Sequence, residues 1–445
     1  MRTNAFLPLC FLMIFLVSCK KDERFTAKPI NKLYGGSSSD GANSITNSTD
    51  GGYLLAGSTV SQDGDVMGKI GGGEDEDGWV IKLDGSENLM WEKTFGGSGT
   101  DRLLAIVPAS GGSYVAAGFS DSNIGDVGHN HGGGEGWIIK FDGTGRIVWQ
   151  KALGGSKFDF FISVEKTRDD GYIAVGYTNS NDGDVSGFHG DFDAWVVKID
   201  ADGNKQWQRA LGGTGRDVGN AVAQSPDGGY IVGGYTNSID GDVAGKKGGA
   251  GNIDAWMVKL DPKGDKLWQK TWGGSASEIF SDITSTSKGG YLLTGYTESN
   301  DAGASGYHGE IDGLAVQIDG DGNEIWARAY GGSKTDNFRA VIRNPGGGYL
   351  LAGVTLSNDG DATGYHGGEG ADAWIIKIDD NGKKLWQKTL GGTKQDELPS
   401  IAPSKLGGFV LGGSSQSNDG DVNGNHGGSD VWVLSIKDYY HLGWR

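Results

Sequence analysis

Cysteine is nearly absent from this sequence: its 445 residues contain two, Cys10 and Cys19. Both lie within the first 19 residues, so the rest of the chain has no thiol. Disulfide bonds and thiol-based catalysis are therefore excluded beyond this point. Proline is also scarce, with 8 residues, yet no stretch after residue 30 shows the sustained apolar spacing of a helix.

Positive charge is in short supply as well. Lysine and arginine together number 39, against 57 aspartate and glutamate residues, which gives a formal net charge of −18. Nucleic acids and anionic membrane surfaces both favour a basic protein surface. The charge balance therefore argues against either of them as a partner.

Long apolar runs are missing apart from residues 5–17, and this run is shorter than the roughly 20 residues that cross a bilayer. It ends in Leu-Val-Ser followed by Cys19, which resembles the lipobox of bacterial lipoproteins. We expect residues 1–18 to be a signal peptide, Cys19 to carry the lipid and residues 19–29 to form a polar tether. The alternative is an ordinary secretory signal with an incidental cysteine.

Tryptophan, by contrast, is abundant and regularly spaced. A unit recurs seven times, and successive first tryptophan positions lie 58, 58, 61, 58, 60 and 58 residues apart, with Leu314 standing in once. Thirteen of the 14 tryptophans occupy two positions of this unit. The first position holds Trp79, Trp137, Trp195, Trp256, Trp374 and Trp432, and the second holds Trp91, Trp149, Trp207, Trp268, Trp326, Trp386 and Trp444.

Each unit contains four short apolar or aromatic runs bounded by Gly, Asp and Asn, the pattern of antiparallel strands. Seven such four-stranded sheets predict an all-β fold, a seven-bladed β-propeller over residues 30–445. A Gly-Gly pair follows the fourth strand of six units, and a seventh pair begins at Gly35 without a tryptophan before it. Trp444 has no such pair after it, so we expect the N- and C-terminal segments to complete one blade and close the ring.

The repeated tryptophans are predicted to be structural. A buried tryptophan removes about 150–250 Å² of surface from water. One aromatic ring at the same place in every repeat is typical of packing between blades rather than of a ligand site.

The long loop between the second and third strands carries repeated carboxylates. Most copies contain Asp-Gly-Asp, and most add an acid just before the first tryptophan. Carboxylates and backbone carbonyls in a glycine-rich loop could surround calcium, whereas side chains that cap turns would explain the same residues. The candidate calcium ligands are Asp63, Asp65, Asp182, Asp184, Asp193, Asp240, Asp242, Asp254, Asp359, Asp361, Asp372, Asp419, Asp421 and Asp430.

Histidine recurs in the same loop. One imidazole per blade cannot form a zinc site, which needs three or four converging ligands, so these residues indicate loop structure. The Asp-x-Asp-Gly-Asn turns between the third and fourth strands begin like calcium loops but lack the distal glutamate, and a hairpin turn is favoured. The histidines are His131, His189, His308, His366 and His426.

Catalytic residues do not stand out in any one unit. An enzyme on this fold is expected to carry unique residues in a few blades, and the departures noticed here, such as Leu314, Gln317 and Trp272, are modest. The sequence favours a non-enzymatic protein without a cofactor. A hydrolase, lyase or quinoprotein that uses the central channel is the alternative.

The motif D-x-W-V-V-K-x-D-x-x-G-N-x-x-W-Q-K-x-x-G-G, followed by D-G-G-Y-I-V-x-G-Y-T, resembles the SBBP-type β-propeller repeats of bacterial surface and secreted proteins. Its tryptophan spacing is more distantly similar to the repeats of quinoprotein dehydrogenases and of outer-membrane assembly lipoproteins. The N-terminus resembles lipoproteins of Bacteroidota. These resemblances imply a propeller and supply no catalytic residues.

We therefore predict an exported, monomeric propeller that is lipid-anchored to the outer membrane, with its body either exposed at the cell surface or on the other side of that membrane. It is expected to bind or scaffold an envelope protein or glycan through the face that carries the Asp/His loops. A role as an outer-membrane assembly factor is a further alternative.

The calcium hypothesis predicts that the protein melts at a higher temperature in calcium than in chelator. Thermal unfolding in both buffers tests this prediction. Equal melting temperatures would leave the loop aspartates with a purely structural role.

Overall fold

A computed structural model of the chain describes residues 30–436 except for residues 71, 74, 129, 250 and 406. The described part contains 28 β-strands, numbered β1 to β28 in chain order, and one short 3-10 helix at Ser110–Gly112. No helix among these residues is both long enough and apolar enough to cross a bilayer. The predicted signal peptide and tether, Cys19 and Trp444 all lie outside the described residues.

The strands form seven four-stranded antiparallel sheets, which confirms the predicted seven-bladed propeller. Each of blades 1 to 6 is a meander of four consecutive strands. The strands of blades 1 to 3 (β2 to β13) are Asp40–Asn47, Tyr53–Thr59, Asp77–Leu83, Leu89–Phe95; Asp101–Pro108, Tyr114–Ser120, Glu135–Phe141, Ile147–Leu153; and Asp159–Lys166, Tyr172–Thr178, Asp193–Ile199, Lys205–Leu211. Those of blades 4 to 6 (β14 to β25) are Asp217–Gln224, Tyr230–Thr236, Asp254–Leu260, Lys266–Trp272; Glu278–Ser285, Tyr291–Thr297, Asp312–Ile318, Glu324–Tyr330; and Asp336–Arg343, Tyr349–Thr355, Asp372–Ile378, Lys384–Leu390.

Blade 7 joins the two ends of the described chain. Its first three strands are β26 to β28, and its outermost strand is β1, which pairs antiparallel with β28. The ring is therefore closed by the N-terminal segment, as expected. The strands of blade 7 are Asp396–Pro403, Phe409–Ser415, Asp430–Ile436 and, from the N-terminus, Ile30–Tyr34.

The closing strand has the same register as the fourth strand of the other blades. Leu33 lies opposite Trp432, as Ala210 lies opposite Trp195 in blade 3. Asn31 consequently accepts a hydrogen bond from the Trp432 indole N–H at 2.6 Å, the role that a glutamine has in blade 3. This register places Ile30 at the backbone position that the second tryptophan holds in the other blades.

The apolar core lies between blades rather than within them. Seven clusters of buried side chains each combine residues from two adjacent blades, including one between blades 7 and 1. All six first-position tryptophans are fully buried in these clusters, and Leu314 takes the same place in blade 5. The ring of Trp195 stacks on Phe161 with centroids 4.9 Å apart.

The second-position tryptophans of blades 1 to 6 connect the outer edges of the blades. The indole N–H of Trp149 donates to the carbonyl of Ala201, in the hairpin turn of the next blade, at 3.1 Å. Gly203 of that turn has φ +82°, and a Cβ there would lie 3.0 Å from the Trp149 ring. The turn therefore requires glycine both for its left-handed backbone and for the close approach of the indole.

The inner strand of each blade carries a β-bulge beside the central channel. The register slips once in all seven inner strands, at Asn43, Leu104, Ile162, Asn220, Ser281, Arg339 and Leu398–Pro399. A bulge turns a side chain out of the regular alternation. Apart from Leu398, the residues at the slip line the channel.

The buried tryptophans predict a graded loss of stability. We expect Trp195→Ala to lower the free energy of unfolding by about 3–5 kcal/mol, because it opens a cavity between blades 2 and 3. Trp207→Ala is the matched control on the same blade, and its half-buried ring should cost clearly less. Chemical denaturation of both variants provides the measurement, and equal losses would contradict packing between blades as the role of the first position.

Candidate functional site

The Asp-Gly-Asp motifs hold the Gly-Gly crossovers that lead from one blade to the next. In blade 3, Asp182 accepts the backbone N–H of Ser156 at 2.7 Å, and Asp184 donates its own N–H to the carbonyl of Gly154 at 2.7 Å. The bond from Ser156 lowers the pKa of Asp182. The same first bond is made by Asp63, Asp240, Asp301, Asp359 and Asp419. The same second bond is made by Asp65, Asp126, Asp242, Asp361 and Asp421.

The acid before the first tryptophan has a different environment. Asp193 is fully buried, and one carboxylate oxygen accepts both the backbone N–H of His189 at 3.0 Å and its ring Nδ1 at 2.7 Å. The repeated histidine therefore has a loop-capping role beside a buried acid. The equivalent ring-to-acid distances are 3.3 Å for His131–Glu135, 3.7 Å for His308–Asp312, 2.7 Å for His366–Asp372 and 2.7 Å for His426–Asp430.

The second carboxylate oxygen of this acid is buried without a hydrogen-bond partner in all seven blades. At the interface of blades 5 and 6, the unpartnered oxygen of Asp312 and an oxygen of Asp336 face the same side of Gly331, at 2.5 and 2.7 Å from where a Cβ would lie. Burial, aided by the Asp336 charge, raises the pKa of Asp312 to about 6. The seven acids are Asp77, Glu135, Asp193, Asp254, Asp312, Asp372 and Asp430.

These two sets of acids do not converge on one point within a loop. The Asp-Gly-Asp carboxylates bind crossover backbone, while the acids before the tryptophans face the next blade. Within the part of the chain that the structure describes, no group of three or more His, Cys, Asp or Glu side chains is arranged to hold a metal ion. Calcium binding stays a prediction for the melting experiment above.

The central channel is a cavity of about 660 Å³ lined by residues of all seven blades. Side chains of the wall bond neighbouring inner strands to each other. Ser44 accepts the N–H of Ile106, and Ser400 accepts that of Ile45. Asp282 accepts the N–H of Val341, and burial raises its pKa to about 6.

The two residues at the rim of the channel differ strongly from blade to blade. The second residue of each inner strand lies opposite the sixth residue of the next strand, at the end near the Asp/His loops. Blades 2 to 5 present an aromatic residue there, and blades 6, 7 and 1 do not. The rim pairs of blades 1 to 7 are Gly41/Ser58, Arg102/Phe119, Phe160/Tyr177, Val218/Tyr235, Ile279/Tyr296, Asn337/Val354 and Glu397/Ser414.

Blade 3 adds two more rings to this aromatic arc. Phe158 and Phe160 both stack on Phe119 of blade 2, with centroids 4.7 and 5.1 Å apart. Phe160 stacks in turn on Tyr177 at 5.3 Å, and Phe192 meets Tyr177 edge-on at 5.4 Å. The four rings of blade 3 and Phe119 form one continuous aromatic wall.

A smaller cleft of about 150 Å³ opens beside this wall, between blades 3 and 4. Tyr177 and Phe192 form one side, and Arg216, Val218 and Tyr235 form the other. The guanidinium of Arg216 lies 4.8 Å above the ring of Phe192. It is half-exposed and reaches its nearest carboxylate at only 3.8 Å, so its hydrogen-bonding capacity is largely unused.

The aromatic wall, the cleft and the rim residues together define the channel mouth, which is the candidate ligand site. The sequence analysis placed the ligand on this face but assigned it to the repeated Asp and His residues. A comparison of the equivalent residues of the seven repeat units could have predicted the channel mouth. Phe158-Asp-Phe160-Phe161 in unit three replaces sequences such as Thr-Asp-Asn-Phe or Ser-Asp-Gly-Ala in other units.

The known proteins that this chain resembles share little of its sequence. No protein-family model matches the chain, so its resemblance to SBBP-type repeats stays a prediction. The regulatory protein FlaEY of Caulobacter vibrioides is 23% identical over 395 residues, which is 70% of this chain and 40% of that protein's length. The chain thus spans less than half of that curated relative.

Three solved structures align with more than nine-tenths of this chain. The WD40 β-propeller domain of Doa1 is 12% identical, with a TM-score of 0.46 over 91% of this chain and 96% of that one. The extracellular domain of a one component system from B. thetaiotaomicron is 10% identical, with a TM-score of 0.45 over 93% of this chain and 43% of that one. BamB from Moraxella catarrhalis is 13% identical, with a TM-score of 0.41 over 91% of this chain and all of that one. The sheet topology of the chain itself defines its class, a seven-bladed β-propeller.

The unpartnered acids predict an unusual dependence of stability on pH. Because the folded pKa of Asp312 lies near 6 and its ordinary value is 3.8, the stabilisation by the protonated acid is complete below about pH 4. It is lost as the pH rises through about 6. Asp312→Asn keeps the acceptor for the His308 N–H and puts an N–H donor toward Asp336. We expect it to raise the free energy of unfolding by about 1–3 kcal/mol at pH 8 and by less at pH 4.

Asp336→Asn is the matched control across the same interface. Asp336 already accepts hydrogen bonds from Gly332, Thr355 and Ser357, so an amide there faces donors and should destabilise the protein at both pH values. Denaturation at pH 4 and pH 8 measures both variants. If Asp312→Asn destabilises the protein equally at both pH values, the carboxyl pair is not a source of repulsion.

Proposed function

We propose that this protein is a non-enzymatic binding or scaffold module of the bacterial envelope, lipid-anchored through Cys19, whose ligand site is the channel mouth. The ligand is an envelope protein or glycan. The lipobox-like N-terminus supports the anchor and the export, and the acidic composition of the chain speaks against nucleic acid as a partner.

The observation that carries the proposal is the asymmetry of the rim. Residues that hold the ring together recur in nearly every blade, as the inner-strand acids and first-position tryptophans do. The rim pairs do not recur, although each occupies the same backbone position. Three of the seven blades fill that position without any aromatic ring. Aromatic rim residues on blades 2 to 5 are therefore not needed to build a blade, and partly exposed aromatic residues, such as those on blades 3 to 5, are typical of binding sites.

Exchanging the rim pair of blade 3 for that of blade 6 tests the site. Phe160→Asn combined with Tyr177→Val uses residues that this fold already accepts at the same position. We expect the double variant to retain at least about ten-fold less envelope material than the wild type, since buried aromatic residues dominate binding energy. Immobilised full-length protein is exposed to bacterial envelope extracts, and the retained protein and carbohydrate are quantified.

Trp207→Leu is the control, because it removes an aromatic ring from the outer edge of the same blade. It should leave retention unchanged. Prior treatment of the extract with protease or with periodate distinguishes a protein ligand from a glycan. Undiminished retention by the double variant would rule out the channel mouth as the site.

A further inference from the structure

Hydrogen-bond donors are concentrated along the aromatic side of the channel mouth. Tyr177, Tyr235 and Tyr296 occupy the same rim position on three consecutive blades, and all three line the channel. None of their hydroxyl groups has a hydrogen-bond partner among the described residues. Arg216 lies beside two of these tyrosines, where its charge opposes the rise in pKa that burial causes in Tyr177 and Tyr235.

Arg339 extends this row on the next blade. Its exposed guanidinium lines the channel, and no described residue forms an ion pair with it. Burial raises the pKa of Tyr296 to about 12, and Arg339 is the cation that counteracts this rise. Arg102, at the other end of the row, is held by Glu76 through two bonds of 2.6 and 2.7 Å. Two guanidinium groups and three phenol hydroxyls are therefore available to a ligand that offers oxygen acceptors.

The backbone of the inner strands offers little to such a ligand. At the bulges, main-chain groups are already bonded to side chains of neighbouring blades. Asn43 and Asn220 donate to the carbonyls of Leu103 and Phe280, and the N–H of Gln224 is taken by Glu165. Ser44, Ser400 and Asp282 take three further N–H groups, as described above. A peptide that adds a strand to a sheet needs a free edge with unpaired main-chain groups, and these bonds obstruct that mode of binding.

The cleft beside Arg216 has the size of one ring. A cavity of 150 Å³ lined by apolar side chains holds a molecule about as large as benzene, and this cleft has about that volume. Its walls are the rings of Tyr177, Phe192 and Tyr235, with Val218 at one side. A sugar ring has a flat face of C–H groups that packs on such walls, while its oxygen substituents reach the hydroxyl and guanidinium donors.

We infer that the channel mouth binds an acidic saccharide, with one sugar ring in the cleft and its carboxylate on Arg216. This inference rests on the proposed function and names the ligand class of the same site. The net charge of −18 does not oppose it, because exposed charges farther than about 10 Å away are largely screened at 0.1 M salt. Beside the cleft, Asp191 lies 3.8 Å from Arg216, which is beyond hydrogen-bond distance, so the guanidinium donors stay open to a ligand carboxylate.

The experiment compares three probes on the full-length protein by titration calorimetry at pH 7, with chelator present to remove calcium. The probes are tetragalacturonate, its neutral methyl ester and a tetraglutamate peptide blocked at both ends. We expect tetragalacturonate to bind, and both the ester and the peptide to bind at least ten-fold more weakly. A charge-assisted hydrogen bond is worth about 1.5–3 kcal/mol, which corresponds to roughly ten-fold or more in affinity.

Two variants and a control locate the binding. Arg216→Gln should weaken tetragalacturonate binding about ten-fold or more, and Tyr235→Phe should weaken it less, because only one neutral hydrogen bond is lost. Arg146→Gln removes an arginine that is 81% exposed on a hairpin turn of blade 2 and should have no effect. Arg216 and Arg146 are exposed and Tyr235 is partly buried, and unchanged melting temperatures verify the fold of all three variants.

The outcomes separate this inference from the proposed function. If tetragalacturonate does not bind, if the ester binds equally well, or if Arg216→Gln has no effect, the acidic saccharide is the wrong ligand class. If the peptide alone binds and Arg216→Gln weakens it, the mouth remains the site and its ligand is an acidic peptide. If no probe binds and the blade 3 double variant also retains envelope material normally, both proposals are wrong.

Discussion

The ring depends on one repeated contact, made where each inner strand begins. The backbone N–H of the acid at that position donates to the carbonyl just before the buried acid of the preceding blade, as Asp217 does to Phe192 at 2.7 Å, and the bond occurs at all seven interfaces. The carboxylate of Asp217 also accepts hydrogen bonds from the Gly-Gly crossover and from Thr236 and Ser238 of its own blade. Apolar contact resists separation of the blades but not their sliding, whereas these directional bonds fix the position of each blade. The width of the channel follows from them.

The acidic composition of the chain is therefore largely a product of its construction. With few exceptions, each blade has one exposed aspartate that accepts a backbone N–H of the crossover, and two buried acids at its interfaces with the neighbouring blades. The two environments shift the pKa in opposite directions, because backbone N–H donors lower it for Asp182 while burial raises it for Asp193. Acidification consequently weakens the crossovers while it relieves the repulsion between the buried carboxyl pairs. The negative charge by itself says little about a ligand.

The repeat made the fold predictable, and it also concealed the site. Period, strand pattern and the unmatched Gly35 were enough to predict seven blades and their closure, because each reflects a contact that every interface needs. The register of the closing strand was predictable from the Gly-Gly pair that follows it, whereas the predicted place of Trp444 in the same blade lies outside the described residues. The carboxylates were correctly located in the loops, but their partners are backbone groups that no sequence pattern reveals. The channel mouth was not predicted because the repeat pattern identifies residues that are the same in every blade. Phe160 differs from the equivalent residue of every other blade.

Assembly of the ring requires the same residues in every blade, whereas a ligand site on one side of the channel requires residues that differ between blades. A contact needed at seven interfaces selects the same residue seven times, so any position that is free to vary is one that assembly does not require. The rim is such a position: glycine, arginine, phenylalanine, valine, isoleucine, asparagine and glutamate all occur there on the same backbone. Apart from Phe119, Val218 and Val354, the rim residues are at least partly exposed, and random drift at exposed positions would favour polar residues. Instead, the rings lie on the four consecutive blades 2 to 5, with Arg216 beside blade 4 and Arg339 on the adjoining blade 6, which is the arrangement that a ligand bound to one side of the channel would require.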